Sequence, residues 1–403
     1  MKNFNADIVI IGAGLTGLCL ASILSILGYK IVLIDKNKIS FNHFIKSDFR
    51  TTALSEGSKN LLNKYGLWKN IKPHAQPIKK IKIFDRKSSN KIDFSNPYKK
   101  EYLGYIIENK FLKNVFLKKI LSNKKIIIKD EINVQSLDYD ESSITVHSSN
   151  FSIKSKLLIA ADGKMSPIRK LSKITIFEKK YNHNAVVLNI CHTKNHNNVA
   201  YEIFTKNGPL AILPMIKNNK GKYRSSVIWS QRENLTRNIY QNNKNLLSIV
   251  NERLYKYVGE VFSINDKKIF QLSAHINSSF YDHRLVFVGD SAHSVHPIAG
   301  QGWNLGLRDI NNLHNALNEA NELGLDPGNN FILKKYNNNS FYDAFLLYQI
   351  TDKLNYIFLK ENFALKKLRQ IGIDFVDRNQ TINKLISSYA MGKNLNFPSF
   401  FMN

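Results

Sequence analysis

The chain has 403 residues, 43% of them hydrophobic, with 58 Lys and Arg against 31 Asp and Glu, a formal net charge of +27. That balance excludes a disordered chain, and the length suits two or three domains with real cores. Cys19 and Cys191 are too few for a disulfide framework and stand in apolar runs, as small core hydrophobes of a reducing, cytoplasmic compartment do.

Ile8 to Ile11 predict a buried strand, residues 15–27 a helix and residues 31–34 a second strand, together a βαβ unit. Residues 8–29 carry no charge and are long enough for a membrane span or a signal peptide. The glycines, the preceding Asp7 and the lack of a basic leader favour strand and helix instead. The first turn reads Gly12-Ala13-Gly14-Leu15-Thr16-Gly17, and the second strand ends in Asp35, 18 residues after Gly17. Gly12 permits the tight turn, Gly14 lets backbone approach a pyrophosphate, and Gly17 allows close packing of helix on strand. The helix N-terminus faces the phosphates and the Asp35 carboxylate can accept from a ribose hydroxyl, so this unit predicts dinucleotide binding.

Alternating runs at 80–84 and 91–94 predict strands, 109–121 a helix and 126–129 a strand. Seven Lys fall between Lys110 and Lys129, but Phe111, Leu112, Val115 and Phe116 interleave at helical spacing, which makes a solvated helix face. The chain as a whole has 47 Lys and 11 Arg, spread evenly and accompanied by much Asn and Ile, a set that A/T-rich codons supply. A nucleic-acid binder would cluster its cations and favour Arg, so no nucleic-acid partner is expected.

Residues 144–153 predict a hairpin, and 157–161 a separate buried strand ending at Asp162 and Gly163. Runs at 185–190, 199–205, 210–213 and 223–229 predict an antiparallel sheet, followed by a polar helical stretch over 232–257. Residues 284–288 return to buried strand character, and from residue 331 the chain is helical and rich in aromatics. The order implies an α/β fold. A discontinuous Rossmann-like nucleotide domain (1–75, 100–180, 277–330) interleaves with a β-sheet substrate domain (76–99, 181–276), and a C-terminal helical region (331–403) follows.

The densest local pattern runs from Gly289 and Asp290 to Asp309: strand, acid, glycine-rich loop, helix. An acid at a strand end can bind a polyol, and a glycine-rich loop entering a helix presents free N–H groups to a ring that becomes anionic on reduction. Gly302 and Gly306 lie one turn apart on the predicted helix, at a cost of roughly 1 kcal/mol each relative to Ala. Close approach of a flat ligand or of another helix would account for that cost. Ser291, His293 and His296 lack a nucleophile-elbow context, and His296 is expected to shape the loop. Cys191 and His192 are adjacent and point to opposite faces of a strand, so with His196 they make no metal site. His183, in a polar segment, is expected at the surface.

The segment His296-Pro297-Ile298-Ala299-Gly300-Gln301-Gly302-x-Asn304-x-Gly306-x-x-Asp309 resembles the signature of the ubiquinone-biosynthesis hydroxylase family, within the class A FAD-dependent aromatic monooxygenases. Gly12 to Gly17, Arg50-Thr51-Thr52-Ala53-Leu54-Ser55 and Ala161-Asp162-Gly163-x-x-Ser166-x-x-Arg169 are similar to the same family, as are residues 104–109, 208–214 and 351–354. The resemblance implies a p-hydroxybenzoate-hydroxylase-like fold with FAD as cofactor. It puts Asp35 on the adenosine ribose, Arg50 beside the phosphate and ribityl region, and Asp162 and Gly163 between FAD and the path of the reductant. It puts Asp290 on the ribityl chain, and Pro297, Gly300, Gln301, Gly302 and Asn304 around the isoalloxazine edge.

The implied reaction is hydroxylation of a ring carbon of a polyprenyl phenol in ubiquinone biosynthesis. NAD(P)H or an external donor reduces the flavin, and O2 adds to give a C4a-hydroperoxide. A small soluble aromatic substrate, or a non-catalytic accessory subunit of a quinone-biosynthesis complex, are the alternatives. The chain has no second G-x-G-x-x-G, so no separate nicotinamide domain is expected. Asp35 stands where Glu is usual, Lys164 and Met165 bring bulk to the Asp-Gly element, and the motifs name no phenol-activating base. Seven aromatics between Phe341 and Leu365 suit core packing of a helix, or an apolar face docking peripherally on the inner face of the membrane, where such a substrate resides.

Overall fold

The computed structural model describes residues 2–85, 91–95, 102–236, 243–359 and 362–392. β1 (Lys2–Ile11), α1 (Leu15–Leu24) and β2 (Ile31–Ile34) form the predicted unit, with Ile8 paired to Ile31 in parallel register. Ile8, Val9, Ile10 and all of β2 are buried in the main core, so both faces of these strands are covered and they read as continuous apolar runs.

β3 (Thr51–Ser55), β4 (Ala75–Ile78) and β7 (Gly104–Glu108) make a small antiparallel sheet, in the order β3-β7-β4. Between them β5 (Lys80–Asp85) and β6 (Lys91–Ser95) leave for another sheet. Helix α2 (Asn109–Leu121) packs Leu112, Phe116 and Ile120 inward, leaving Lys118 and Lys119 in solvent, and leads to β8 (Ile126–Lys129).

β9 (Ser136–Tyr139), β10 (Ile144–His147) and β11 (Phe151–Ala160) follow. The predicted hairpin arm and the predicted buried strand are one element, β11. Its first half alternates, with Lys154 and Lys156 outward, and its second half is buried throughout between β1 and the later β18 (Leu285–Phe287). These two lysines, in the gap between the two predicted segments, are the solvent face of a strand entering the core.

The second sheet runs β19-β16-β12-β15-β14-β13-β5-β6. Its members are β12 (Ile176–His192), β13 (Val199–Thr205), β14 (Gly208–Met215), β15 (Tyr223–Arg232), β16 (Val261–Asn277) and the short β19 (His293–Ser294) beside β5 and β6. The two-residue β17 (Tyr281–Asp282) edges the first sheet. The 17 residues of β16 escaped the sequence pattern because Asp266, Lys267 and Lys268 sit within them and three register shifts against β12 break the alternation. Of the predicted polar helical stretch, Arg232 still belongs to β15, residues 233–236 are helical and helix α3 is Asn243–Val258, while residues 237–242 lie outside the described set.

α3 sets Leu246, Val250, Leu254 and Val258, one turn apart, against Val186, Leu188, Ile203, Ile212, Val227 and Trp229 of the sheet. Strand alternation therefore turns Ala200, Phe204, Ala211, Leu213 and Ile228 to the opposite face, where they line a cavity. That cavity is closed by the tail: α5 (Asn330–Leu359), α6 (Phe363–Arg378) and α7 (Gln380–Ala390), which follow α4 (Gly302–Glu322). Phe358 of α5 stacks on Phe204 at 3.6 Å between ring centroids. Lys179 and Tyr181 of β12 hold Asp352 of α5, with Tyr181 donating at 2.9 Å, so the family-like segment 351–354 anchors the tail to the sheet.

Candidate active site

The predicted nucleotide-binding glycines divide into two kinds. Gly12 has φ +105°, and a side chain there would overlap the Ala161 backbone; one on Gly17 would overlap the Gly12 carbonyl oxygen. Both are packing glycines that draw α1 onto the ends of β1 and β11. A side chain on Gly14 would meet nothing within 4 Å, and the same holds for Gly163 and Gly302. These are the positions at which backbone borders open space. Gly14 also begins α1 with no side-chain cap, so the first N–H groups of the helix are left for another partner. Asp35 Oδ2 accepts from Ala13 N–H at 2.6 Å and Oδ1 from Asn37 N–H at 2.7 Å, which fixes the carboxylate at the loop and leaves lone pairs for a hydroxyl.

Asp290 follows β18, accessible yet ringed by protein. Burial raises its pKa, opposed by the charges of His293, Arg50 and Lys164. Arg50 is held by Asp48 through two bonds of 2.8 Å and lies 5.6 Å from the Phe270 ring centroid. Burial pushes the Asp48 carboxyl up, but its bonds and charges from Arg50 and Lys113 hold it below the usual range. Asp162 Oδ2 accepts from the Ser166 hydroxyl at 2.8 Å and Ile168 N–H at 3.1 Å, capping the short helix Pro167–Leu171, while its Oδ1 is buried with no hydrogen-bond partner. An orphaned carboxylate oxygen, three glycines bordering open space and an uncapped helix start suit an anionic nucleotide with hydroxyl donors, as FAD is.

The loop after Asp290 is held by groups the sequence did not single out. Arg169 donates to the Ser291 carbonyl at 2.9 Å, to the Lys164 carbonyl at 2.7 Å and to His275 Nε2 at 3.1 Å. His275 can accept because burial, with help from Arg169 and His293, pushes its pKa down to about 3. Arg169 was visible only as a motif letter, and His275 sits on the unpredicted β16. His293 is 2.6 Å from Asp309, which also accepts from Gly289 N–H, so the histidine belongs to a buried structural pair. Ser291 Oγ donates to the Ala160 carbonyl. His296 packs edge-on against Tyr181 at 4.8 Å, consistent with shaping the loop. His183, expected at the surface, is half-buried with its Nε2 enclosed. His192 bonds the Lys194 carbonyl and Ser225 as a core histidine.

A side chain on Gly306 would come into ordinary contact with the Gly289 backbone at 3.6 Å, whereas Gly302 borders open space. Asn304 is 1% exposed: its Nδ2 donates to the Ala53 carbonyl at 2.9 Å and the Gly300 carbonyl at 3.3 Å, and its Oδ1 accepts from Ser55 N–H at 2.9 Å. Asn304 thus staples the loop to β3. Held in this way, Pro297, Ile298, Gly300, Gln301 and Asn304 form one wall of the cavity of about 540 Å³ whose other walls are the sheet and the helical tail. The lining is mainly Ile, Leu, Phe and Ala.

A nucleotide cradle on one side of a glycine-rich loop and an apolar chamber on the other define the class of FAD-dependent monooxygenases. The chain belongs to the FAD binding domain family, whose model matches residues 5–336, and within it to the ubiquinone hydroxylases. It is 31% identical over 390 residues to ubiquinone hydroxylase UbiL of Rhodospirillum rubrum, covering 96% of this chain and 90% of that protein. It is 24% identical to the 3-demethoxyubiquinol 3-hydroxylase of Escherichia coli, covering 97% of this chain and all of the other. Among solved structures, p-nitrophenol 4-monooxygenase PnpA of Pseudomonas putida superposes with a TM-score of 0.80 over 98% of this chain and 99% of its own at 16% identity, a likeness of fold.

Proposed function

We propose that the protein hydroxylates one ring carbon of a polyprenyl phenol in ubiquinone biosynthesis, using FAD, dioxygen and electrons from NAD(P)H or an external donor. The observation that carries this reading is the apolar cavity: it begins at the loop 297–304 and ends among helices that themselves expose apolar side chains. A small charged aromatic would be poorly matched to such a lining.

Bound FAD supplies the oxygen-activating redox chemistry. Gly14 and the start of α1 would meet its pyrophosphate, Asp35 its ribose, and Asp290 its ribityl hydroxyls, with Arg50, Asp162 and Gly163 alongside. Pro297, Gly300, Gln301 and Gly302 would border the ring, with Asn304 holding their loop rigid. The sheet and the tail exclude water and fix the aromatic ring.

Profiling quinone intermediates in cells lacking the protein tests the reading. One prenylated phenol short of a hydroxyl should accumulate while ubiquinone falls at least tenfold; an unchanged quinone pool would refute the assignment.

Substrate delivery from the membrane surface is part of the same proposal. No helix among the described residues is long and apolar enough to cross a membrane. Phe363, Ile371 and Phe375 of α6 and Leu385 of α7 are 80%, 58%, 56% and 63% exposed, on helices whose Ile373, Val376 and Ser387 line the cavity. Lys367 and Lys384 accompany them, suiting anionic headgroups. Burying one Phe at an interface is worth about 1.5–3 kcal/mol, so Phe375→Asp should lower co-sedimentation with anionic vesicles about tenfold or more. Wild-type partition in that variant would remove the docking role of α6.

A further inference from the structure

The cavity wall contains one residue that the apolar character of its surroundings does not explain. One face of β13 brings Ala200, Glu202 and Phe204 to the cavity, so an acid occupies the middle position of an apolar strand face. Its cross-strand neighbours are Ile83 on β5 and Ala211 on β14, both cavity-lining and neither a donor. Among the described residues the Glu202 carboxylate has no hydrogen bond or ion pair. The other titratable side chains lining the cavity are Tyr201, on the same strand, and Arg369 on α6, which lies 3.5 Å from Asp85 and donates to the Ile357 carbonyl. The leucine, isoleucine, phenylalanine and serine side chains that α5 and α7 contribute carry no charge.

Position along the strand is equally informative. Ala200 shares a cluster with Ala53, on which a side chain at Gly300 of the glycine-rich loop would press; Phe204, at the other end, stacks on Phe358 of the tail. Glu202 lies between the loop end and the tail end, facing the space an aromatic ring would enter.

We propose that Glu202 is a catalytic residue that binds the ring hydroxyl of the substrate and takes its proton during hydroxylation. The inference rests on the hydroxylase reading above and supplies the base that no motif named. Burial alone pushes the Glu202 carboxyl up to about 7, which suits a proton acceptor working near neutrality.

In the step, the ring carbon ortho or para to the hydroxyl donates the electron pair of the new C–O bond to one oxygen of the reductively activated dioxygen, whose O–O bond breaks so that the other oxygen leaves at the level of hydroxide. The hydroxyl oxygen gives its proton to Glu202 and becomes a dienone oxygen. The hydrogen on the attacked carbon then leaves as a proton, the Glu202 proton returns to the ring oxygen and aromaticity is restored. One atom of dioxygen stays on the ring and the other leaves as water, with the two further electrons supplied by reduced nicotinamide or an equivalent donor.

The test compares FAD-loaded wild type with Glu202→Gln and Glu202→Leu, using a phenol that carries a short prenyl chain. Wild-type kcat/KM should rise with pH through about 7 and then level, because the carboxylate form is the active one. Glu202→Gln should bind FAD normally and oxidise NAD(P)H, yet lose about a hundredfold or more in hydroxylation and lose the rise near neutrality.

Thermal melts supply a readout independent of turnover. With its folded pKa above its unfolded value, Glu202 binds more protons folded than unfolded, so it weakens the fold increasingly as pH rises from the unfolded value towards about 7. Glu202→Leu should therefore melt higher than wild type, by more at pH 8 than at pH 5. A Gln variant that hydroxylates at the wild-type rate with the same pH profile overturns the proposal, as does a Leu variant that melts lower at pH 8. A wild-type protein that holds FAD but hydroxylates no phenol overturns the hydroxylase reading itself, and this assignment with it.

Discussion

Gly14→Trp is expected to give a folded, colourless protein, whereas Gly17→Val is expected to give little folded protein at all. The two residues lie three apart in one motif, but their surroundings are opposite. Gly14 has φ −69° and ψ −172°, extended backbone that any residue adopts, and a side chain there enters open space. A Trp would therefore cost the apo fold little and fill the room a pyrophosphate needs. Gly17 is inside α1, where a Val would overlap the Gly12 carbonyl oxygen and press on Ala161, 3.5 Å away. The overlapped atom is backbone at the crossing of helix and strand and cannot swing aside. The cost should reach at least about 3 kcal/mol, a large share of the stability of an ordinary domain. Flavin absorbance after purification and urea melts of the apo forms measure both effects. Full FAD content in Gly14→Trp would show that the nucleotide lies elsewhere.

Replacement of Asp309 by Leu should destabilise the protein by about 3–5 kcal/mol, the usual penalty for removing one partner of a buried pair. Both side chains of the pair are 1% exposed, and Asp309 Oδ2 serves His293 and the Gly289 N–H together. The pH dependence identifies the pair. Burial lowers the pKa of His293, but the charge and hydrogen bond of Asp309 outweigh it, so the folded value is raised. A raised histidine contributes all of its stabilisation below the unfolded value, about 6.5, and loses it as pH rises through the folded value. The stability gap between wild type and Asp309→Leu should therefore be widest near pH 6 and narrow towards pH 9. A gap that stays constant over that range would mean that the ring is neutral throughout. Because Gly289 and Asp290 ride on this pair, FAD affinity should fall with it.

Much of the nucleotide half was legible from residue order. Hydrophobic pattern gave α1, β2, α2 and β8 close to their observed bounds, because each forms from local pattern and covers its own apolar face, whereas β1 was read only from Ile8 although the strand begins at Lys2. Errors came where pattern depended on a neighbour. β11 looked like two strands because half of it faces water, and β16 was hidden because its register against β12 slips three times. Gly306 looked equivalent to Gly302, and only the tertiary structure shows that a side chain on one would touch Gly289 and Thr16 while the other borders open space.

By itself the sequence determined the cofactor class, because a tight turn, a close backbone approach and an acid at a strand end need particular residues at short, fixed spacings. Tertiary structure alone decided the apolar chamber. Its walls come from β3, from strands of the second sheet, from the loop before α4 and from α5, α6 and α7, segments far apart in the chain. Alternation along β13 says that Ala200, Glu202 and Phe204 share a face, but not what that face meets. That choice falls to α3, which covers the other face with Leu246, Val250 and Leu254 and so leaves Glu202 turned towards the cavity.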